Sequence, residues 1–138
     1  MTLRILVVDD HPIVRRGLKT LLSGQPGWEV VDEAADGVEA VDKSSRLNPD
    51  LVVLDLSMPN MGGLEACRQI VKTVPQCEVL IVTQHDSPQM MREAGAAGAR
   101  GYVVKSNIAS ELVSAVQATS QHRPFWPKAM TGLKRDVQ

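Results

Sequence analysis

The chain has 138 residues, of which 43% are hydrophobic and 22% charged, and its net charge at pH 7 is −1. This length is typical of one globular domain with its own hydrophobic core. No apolar run approaches the roughly 20 residues of a membrane-spanning helix, and the N-terminal apolar run is too short for a signal peptide. We therefore expect a soluble, cytoplasmic protein.

Charge and cysteine usage exclude further classes of protein. Residues 1–121 hold 11 Lys and Arg against 15 Asp and Glu, whereas residues 122–138 hold four basic residues and one acid. The body therefore lacks the basic stripe of a nucleic-acid-binding domain, and the tail is too short to be one. Cys67 and Cys77 lie outside any CxxC spacing, so we expect two partly buried free thiols. No zinc-ligand pattern is formed by the scattered histidines His11, His85 and His122.

The first third of the chain predicts two strand–helix units. Leu3–Val8 reads as a strand, and Pro12 is suited to the first turn of the helix that follows. Its apolar face is predicted to contain Ile13, Val14, Gly17, Leu18, Leu21 and Leu22. Trp28–Val31 predicts a second, weaker strand. A turn at Asp36–Gly37 then precedes an amphipathic segment carrying Val38, Val41 and Leu47.

The next unit contains the most hydrophobic strand of the chain. Residues 51–55 follow Asp50 with the letters LVVLD, and four consecutive apolar residues predict a strand buried on both faces. A loop around Pro59–Asn60 and Gly62–Gly63 comes next. The third helix is predicted to end before Pro75, with an apolar stripe of Leu64, Cys67, Ile70, Val71 and Val74.

Two further units complete the pattern. Glu78–Thr83 predicts the fourth strand, and Pro88 begins a fourth helix. That helix is weakened by two glycines, Gly95 and Gly98, each of which costs about 1 kcal/mol relative to Ala. Tyr102–Val104 predicts the fifth strand. The last helix is predicted to end near Ser120, with a stripe of Ile108, Leu112 and Val116.

Strands that alternate with helices at this pace indicate βαβ units with right-handed crossovers. They predict an α/β fold in which helices cover both faces of a doubly wound, five-stranded parallel sheet. We assign residues 1–121 to this domain. Residues 122–138 contain two prolines and a glycine without a clear period, which predicts a linker or flexible C-terminal tail.

Polar residues stand where the predicted strands end. The first strand ends in Asp9–Asp10, the third in Asp55 and the fourth in Thr83, and Lys105 follows the fifth. Taken singly, Asp10 could cap a helix, Thr83 is an ordinary strand residue and Lys105 could be a surface charge. No structural role explains an acid after LVVL. Because ligands bind at the carboxyl ends of parallel strands, the joint pattern predicts a functional site there.

The charges predict the chemistry of this site. Asp9, Asp10, Asp55 and Lys105 together leave a charge of −2 in a small volume, which a hard divalent cation would cancel. Ligands that are all oxygen atoms indicate Mg²⁺, which also recruits phosphate oxygens. A metal of this kind beside an Asp able to act as a nucleophile suggests an aspartyl-phosphate.

Four segments of the sequence carry a resemblance to a known family. They are VVDDHP (7–12), DLVVLDLSMPNMGG (50–63), IVTQHD (81–86) and GARGYVVKS (98–106). Residues 3–121 resemble the response-regulator receiver domains of two-component signalling, and are similar to the NarL/FixJ group in particular. The resemblance implies a flavodoxin-like (βα)5 fold with strand order 2-1-3-4-5.

The resemblance also implies a role for each site residue. Asp55 would be the phosphoacceptor that takes the phosphoryl group from a sensor histidine kinase. Asp10 would bind Mg²⁺ directly and Asp9 largely through water, with the Ser57 backbone carbonyl as a further ligand. The remaining members of the motif are Lys105 on a phosphoryl oxygen, Thr83 as the hydroxyl that moves toward it, and Tyr102 as the switch aromatic that follows Thr83.

Such a receiver would shift the face formed by its fourth helix, fifth strand and fifth helix, and could form a homodimer on phosphorylation. It would catalyse only its own phosphorylation and dephosphorylation.

Two departures from the family pattern concern its loops. Ser106 stands where many receivers have a proline, and Gln84 is longer than the small residue that often follows the switch threonine.

Alternative functions are weighed on the same residues. A phosphatase of the haloacid dehalogenase type normally has a second Asp two residues after the nucleophile, where this chain has Ser57. A flavodoxin-like FMN-binding protein lacks support because the loop after the first strand is DDHP, which would repel phosphate. Within the receiver family two options stay open. One is a stand-alone receiver acting through protein contacts, and the favoured one is a transcription regulator whose DNA-binding helix-turn-helix domain lies outside this chain.

Overall fold

The computed structural model describes residues 2–128 and confirms the predicted alternation of strands and helices. The strands are β1 (Leu3–Val8), β2 (Trp28–Ala34), β3 (Leu51–Leu54), β4 (Glu78–Thr83) and β5 (Gly101–Val104). The helices are α1 (Pro12–Ser23), α2 (Gly37–Leu47), α3 (Gly63–Thr73), α4 (Pro88–Ala96) and α5 (Ile108–Ser120), and a 3-10 turn at Lys105–Asn107 precedes α5. Among the described residues, no helix has the length and apolar character needed to cross a membrane.

The five strands form one parallel sheet in the order β2-β1-β3-β4-β5, which confirms the predicted fold. β3 lies at the centre, and all four of its residues are buried. Its last residue, Leu54, pairs with Val8 of β1 on one side and with Ile81 of β4 on the other. The residues that follow β1 and β3 therefore emerge side by side at the carboxyl edge of the sheet.

Two hydrophobic cores lie on the two faces of the sheet. Because side chains alternate along a strand, Ile5 and Val7 of β1 pack with α1 and α5, whereas Leu6 and Val8 pack with α2, α3 and α4. Both cysteines belong to the second core and are buried. Burial raises the pKa of each thiol, Cys67 and Cys77, to about 12, so both stay protonated and unreactive at neutral pH.

The structure corrects the predicted extent of β2 and part of two helical stripes. β2 continues to Ala34 because its pairing with β1 extends to Val8, past a shift in register between Ile5 and Leu6. Ile13 and Val38 are exposed, at 86% and 54%. Both stand in the first turn of a helix, at the carboxyl edge of the sheet. The buried face of α2 consists instead of small residues, Gly37, Ala40 and Ser44.

Residues beyond α5 also lie on the sheet. Phe125 forms an isolated parallel bridge with Gly101, so this part of the chain runs along the outer edge of β5. The domain boundary at residue 121 and the linker or tail at 122–138 stay predictions, and residues 129–138 lie outside the described part of the chain.

Two glycines provide a matched test of this architecture. A Cβ at Gly63 would lie 2.2 Å from the Asp55 carbonyl oxygen and 2.5 Å from the Leu56 Cα, whereas a Cβ at Gly17 on α1 would meet no atom within 4 Å. We expect Gly63→Ala to lower the free energy of unfolding by about 1–3 kcal/mol because backbone must move. Gly17→Ala should raise it by about 0.5–1 kcal/mol. Urea denaturation measures both, and an unchanged stability in Gly63→Ala would contradict this packing.

Candidate functional site

Two buried carboxylates stand next to each other at the carboxyl edge of the sheet. Asp9 follows β1 and Asp55 follows β3, and their exposed fractions are 0% and 2%. The Asp9 amide donates to the Ala34 carbonyl and the Asp55 amide to the Val8 carbonyl, both at 3.1 Å. These bonds continue the ladder of the sheet past the strand ends, so the backbone of both aspartates is fixed by their neighbours.

One ammonium group bridges the two carboxylates. The Lys105 Nζ atom lies 2.8 Å from Asp9 Oδ2 and 3.2 Å from Asp55 Oδ2. The pKa of Lys105 lies above its ordinary value. Burial lowers this pKa, but the hydrogen bond to Asp9 and the charge of Asp55 together raise it by more. The stabilisation by these ion pairs is thus fully present below the ordinary lysine pKa and is lost only as pH rises through the raised one.

A third carboxylate and an imidazole complete an acidic pocket. Asp9, Asp10, His11 and Asp55 each offer one ligand atom, and these atoms all lie within 4.8 Å of one another. His11 Nδ1 lies 3.0 Å from Asp10 Oδ1 and 3.2 Å from Asp9 Oδ1. Asp10 does not cap α1, because His11 occupies the N-cap position and α1 has no side-chain cap hydrogen bond. This pocket could bind a metal ion.

The loop after β3 fixes the orientation of Asp55. Its Oδ1 atom accepts hydrogen bonds from the backbone amides of Leu56, at 2.7 Å, and more weakly of Ser57, at 3.4 Å. Its Oδ2 atom is held by Lys105. Both oxygens therefore have defined partners, one from the backbone and one from the ammonium group.

Thr83 and Tyr102 are both fully buried. The Thr83 hydroxyl at the end of β4 has no hydrogen-bond partner within residues 2–128, a state that costs about 1–3 kcal/mol for a buried polar group. The Tyr102 hydroxyl donates to the His85 carbonyl oxygen at 2.8 Å. Burial, with smaller contributions from Asp86 and Asp55, raises the pKa of Tyr102 to about 12, so this hydroxyl remains a neutral donor.

A side-chain hydrogen bond joins the loops that follow β3 and β4. The Ser57 Oγ atom lies 2.5 Å from His85 Nε2. The sequence predicted a role for the backbone of Ser57 only, and it assigned none to His85 or His11. His11 was detectable in principle because it directly follows the Asp9–Asp10 pair. The position of His85 depends on the path of a loop, for which the sequence carries no signal.

The family of the chain follows from comparison with known proteins. The model of the response regulator receiver domain matches residues 5–117. The chain belongs to this family. Response regulators are signalling proteins, and receiver domains partner with sensor kinases.

Relatives place this receiver in the LuxR/NarL group, which confirms the predicted resemblance. The response regulator VraR of Staphylococcus aureus is 42% identical over 139 residues, covering the whole of this chain and 66% of VraR. A LuxR-family two-component response regulator from Aurantimonas sp. is 40% identical, with both chains fully covered and a TM-score of 0.92. The receiver domain of a NarL response regulator from Mycobacterium tuberculosis is 33% identical, with coverages of 88% and 98% and a TM-score of 0.83. This receiver thus spans just under two thirds of the length of VraR.

The bridging role of Lys105 can be tested by its effect on stability. Lys105→Met leaves two buried carboxylates without a cation, so the free energy of unfolding at neutral pH should fall by about 3 kcal/mol. The deficit should shrink as pH rises through the raised pKa of Lys105, where the unaltered chain loses the ammonium charge as well.

Lys19→Met is the matched control for this measurement. Lys19 pairs with Glu33, and both side chains are more than a third exposed, so its loss should change stability by less than about 1 kcal/mol. Denaturant titrations at several pH values measure the free energy of unfolding of both variants. Equal effects at neutral pH would contradict the bridge.

Proposed function

We propose that this receiver accepts a phosphoryl group on Asp55 from a phosphohistidine of a sensor histidine kinase. The observation that carries the proposal is the position of the Asp55 carboxylate. It is buried at the carboxyl end of the central strand, is paired with the ammonium group of Lys105 and forms part of the acidic pocket. A nucleophile that binds a cation and stands in a pocket for a second one is suited to react with an anionic phosphoryl group.

The transfer step uses one carboxylate oxygen of Asp55. This oxygen attacks the phosphorus atom, an O–P bond forms and the N–P bond to the kinase imidazole breaks, with its electron pair left on that nitrogen. Lys105 stabilises the charge on a phosphoryl oxygen. Dephosphorylation is a separate hydrolysis, in which a water oxygen attacks the phosphorus atom, the O–P bond to Asp55 breaks, and inorganic phosphate and the free carboxylate are released. The chain would thus catalyse only its own phosphorylation and dephosphorylation.

The donor set of the pocket fits Mg²⁺. Three carboxylates outweigh one ammonium group, and within residues 2–128 the one nitrogen ligand of the pocket is His11, whose side chain is 58% exposed. Hard oxygen ligands with an excess of negative charge favour Mg²⁺ over softer metals. We propose that Asp10, Asp9 and Asp55 hold the ion, with the backbone carbonyl of Ser57. When bound, Mg²⁺ supplies positive charge that lowers the repulsion between these carboxylates and the incoming phosphoryl oxygens.

The buried residues beside the pocket support a conformational response. The unpartnered Thr83 hydroxyl would gain an acceptor by turning to the phosphoryl group, and Tyr102 would respond as the switch aromatic. Movement of β4 and β5 would then change the face formed by α4, β5 and α5. We propose that this change controls homodimer formation.

The output that we propose is control of transcription in the cytoplasm. It is supported by the similarity to a LuxR-family response regulator, at 40% identity. In this proposal DNA is bound by a domain outside this chain, because the receiver carries a net negative charge over residues 1–121. A stand-alone receiver that acts through protein contacts is the alternative function. The length of the natural gene product distinguishes a transcription regulator from a stand-alone receiver.

A labelling experiment tests the phosphoacceptor. With Mg²⁺ and a small phosphodonor such as acetyl phosphate, intact-mass measurement should show one added phosphoryl group, and hydroxylamine should remove it because acyl phosphates react with that nucleophile. Asp55→Asn should show no labelling. The control Asp42→Asn changes an exposed acid of α2 and should be labelled like the unaltered chain. Equal labelling of Asp55→Asn would overturn the assignment.

A binding experiment tests the metal ligands. Asp10→Asn removes one carboxylate charge from the pocket, and the affinity for Mg²⁺ should fall about tenfold or more. Calorimetric titration with Mg²⁺ alone measures the affinity without any phosphodonor. Asp42→Asn again serves as control, since its carboxylate pairs with Arg46 away from the pocket. An unchanged affinity in Asp10→Asn would exclude Asp10 as a ligand.

A further inference from the structure

Arg15 of α1 donates a hydrogen bond to the backbone of Asp9. Its Nη1 atom lies 2.7 Å from the Asp9 carbonyl oxygen. This oxygen belongs to the peptide bond between Asp9 and Asp10, so the guanidinium group acts on the peptide that joins the two acids. The Arg15 side chain is 18% exposed, and a charge-assisted hydrogen bond of this kind is stronger than one between neutral groups.

The peptide between Asp9 and Asp10 has few other restraints. The Asp9 amide is held by the Ala34 carbonyl at 3.1 Å, but this bond lies on the amino side of Asp9. The Asp10 backbone makes no hydrogen bond to any other residue of 2–128, and α1 begins only at Pro12. The direction of Asp10 therefore depends on the peptide that precedes it, which Arg15 holds.

Glu33 on β2 fixes the guanidinium group of Arg15. Arg15 Nε donates to Glu33 Oε1 at 2.5 Å, and Lys19 Nζ donates to Glu33 Oε2 at 2.5 Å. Arg15 and Lys19 stand one turn apart on α1, so one carboxylate binds two cations from the same face of the helix. The hydrogen bonds from Lys19 and Arg15 lower the pKa of Glu33, which keeps this carboxylate ionised at neutral pH.

The register of the sheet places Glu33 on the side of α1. Glu33 is paired with Val7 of β1, whose side chain packs in the core beneath α1 and α5. A change of register by one residue would turn Glu33 to the other face of the sheet. The pairing of β1 with β2 thus determines that Glu33 meets Arg15.

We propose that Arg15 is a positioning residue, which orients the Asp9–Asp10 peptide so that both acids can bind Mg²⁺. The inference deepens the proposed function and rests on Asp9 and Asp10 as ligands of the ion. Within residues 2–128, the Arg15 guanidinium forms no ion pair with a carboxylate of the acidic pocket, so it acts through the backbone. Loss of a group that orients metal ligands typically lowers metal affinity by about 10- to 100-fold.

Electrostatics and positioning predict opposite signs for the loss of Arg15. A cation near an acidic pocket repels Mg²⁺, so removal of its charge alone would raise the affinity for Mg²⁺. Loss of the hydrogen bond to the Asp9 carbonyl frees the peptide, and ordering this peptide when the metal binds then costs conformational entropy. Positioning therefore predicts a lower affinity for Mg²⁺.

Calorimetric titration with Mg²⁺ alone measures this sign. Arg15→Met should bind Mg²⁺ about tenfold more weakly than the unaltered chain. The matched control is Arg16→Met, which removes the same charge at the next position of α1, where the side chain is exposed. Its affinity should equal that of the unaltered chain or lie slightly above it. An Mg²⁺ affinity of Arg15→Met as high as that of Arg16→Met would overturn the positioning role.

Urea denaturation of the same variants separates positioning from stability. Arg15→Met also loses the ion pair with Glu33, so its free energy of unfolding should fall. A purely structural role would lower stability and leave the Mg²⁺ affinity of the folded chain unchanged. That combination would contradict the proposal, whereas a lower affinity of the folded chain supports it.

A further variant tests Glu33 as the anchor of Arg15. Glu33→Gln keeps Arg15 but removes its charged partner, so the affinity for Mg²⁺ should fall. In the Arg15→Met background the same substitution should have a clearly smaller effect, because no guanidinium group is left to hold. Equal effects in the two backgrounds would exclude Glu33 as the anchor.

Labelling of Asp55 at several Mg²⁺ concentrations distinguishes this inference from the proposed function. Arg15→Met should need about tenfold more Mg²⁺ for half-maximal labelling by acetyl phosphate. Its rate at saturating Mg²⁺ should match that of the unaltered chain. An unaltered chain that neither binds Mg²⁺ nor is labelled would overturn both proposals. A labelled unaltered chain with the same Mg²⁺ requirement as Arg15→Met would overturn the role of Arg15 alone.

Discussion

The ammonium group of Lys105 between the carboxylates of Asp9 and Asp55 is the interaction on which the rest of the site depends. Two almost fully buried acids side by side would repel each other and would lack the water that normally solvates them. The bridge makes their burial possible, and with Asp10 included the site keeps an excess charge of −2. An excess of negative charge on oxygen ligands favours a divalent cation.

The doubly wound sheet explains why such a cluster can exist at all. Asp9 and Asp55 follow neighbouring strands, while Lys105 follows a strand at the edge of the sheet and reaches inward. Each side chain comes from a different βα loop, but the register of parallel strands brings the loops to one edge. Gly63 at the start of α3 lies close to the Asp55 backbone, which keeps the loop between β3 and α3 compact. Burial of the site therefore follows from the strand pairing and from helix packing.

The two edge strands of the sheet, β2 and β5, are protected from unwanted pairing in different ways. β2 carries Asp32 and Glu33, whose ion pairs with Lys43, Lys19 and Arg15 keep this edge charged. β5 is short, and its outer edge is covered by the segment around Phe125 instead. In this segment, the ring of Trp126 stacks on the buried ring of Tyr102. The two edges are thus closed in different ways: one by charged side chains, and the other by a later segment of the chain.

The sequence by itself determined the strand–helix alternation, the doubly wound class and the identity of Asp9, Asp10, Asp55 and Lys105, because apolar periodicity and residues at strand ends are local signals. Tertiary structure alone decided three contacts: Lys105 with both carboxylates, Ser57 with His85, and Trp126 with Tyr102. It also decided that small residues, not Val38, cover the inner face of α2. These features depend on loop paths and on the distance between elements, which no local pattern of residues encodes.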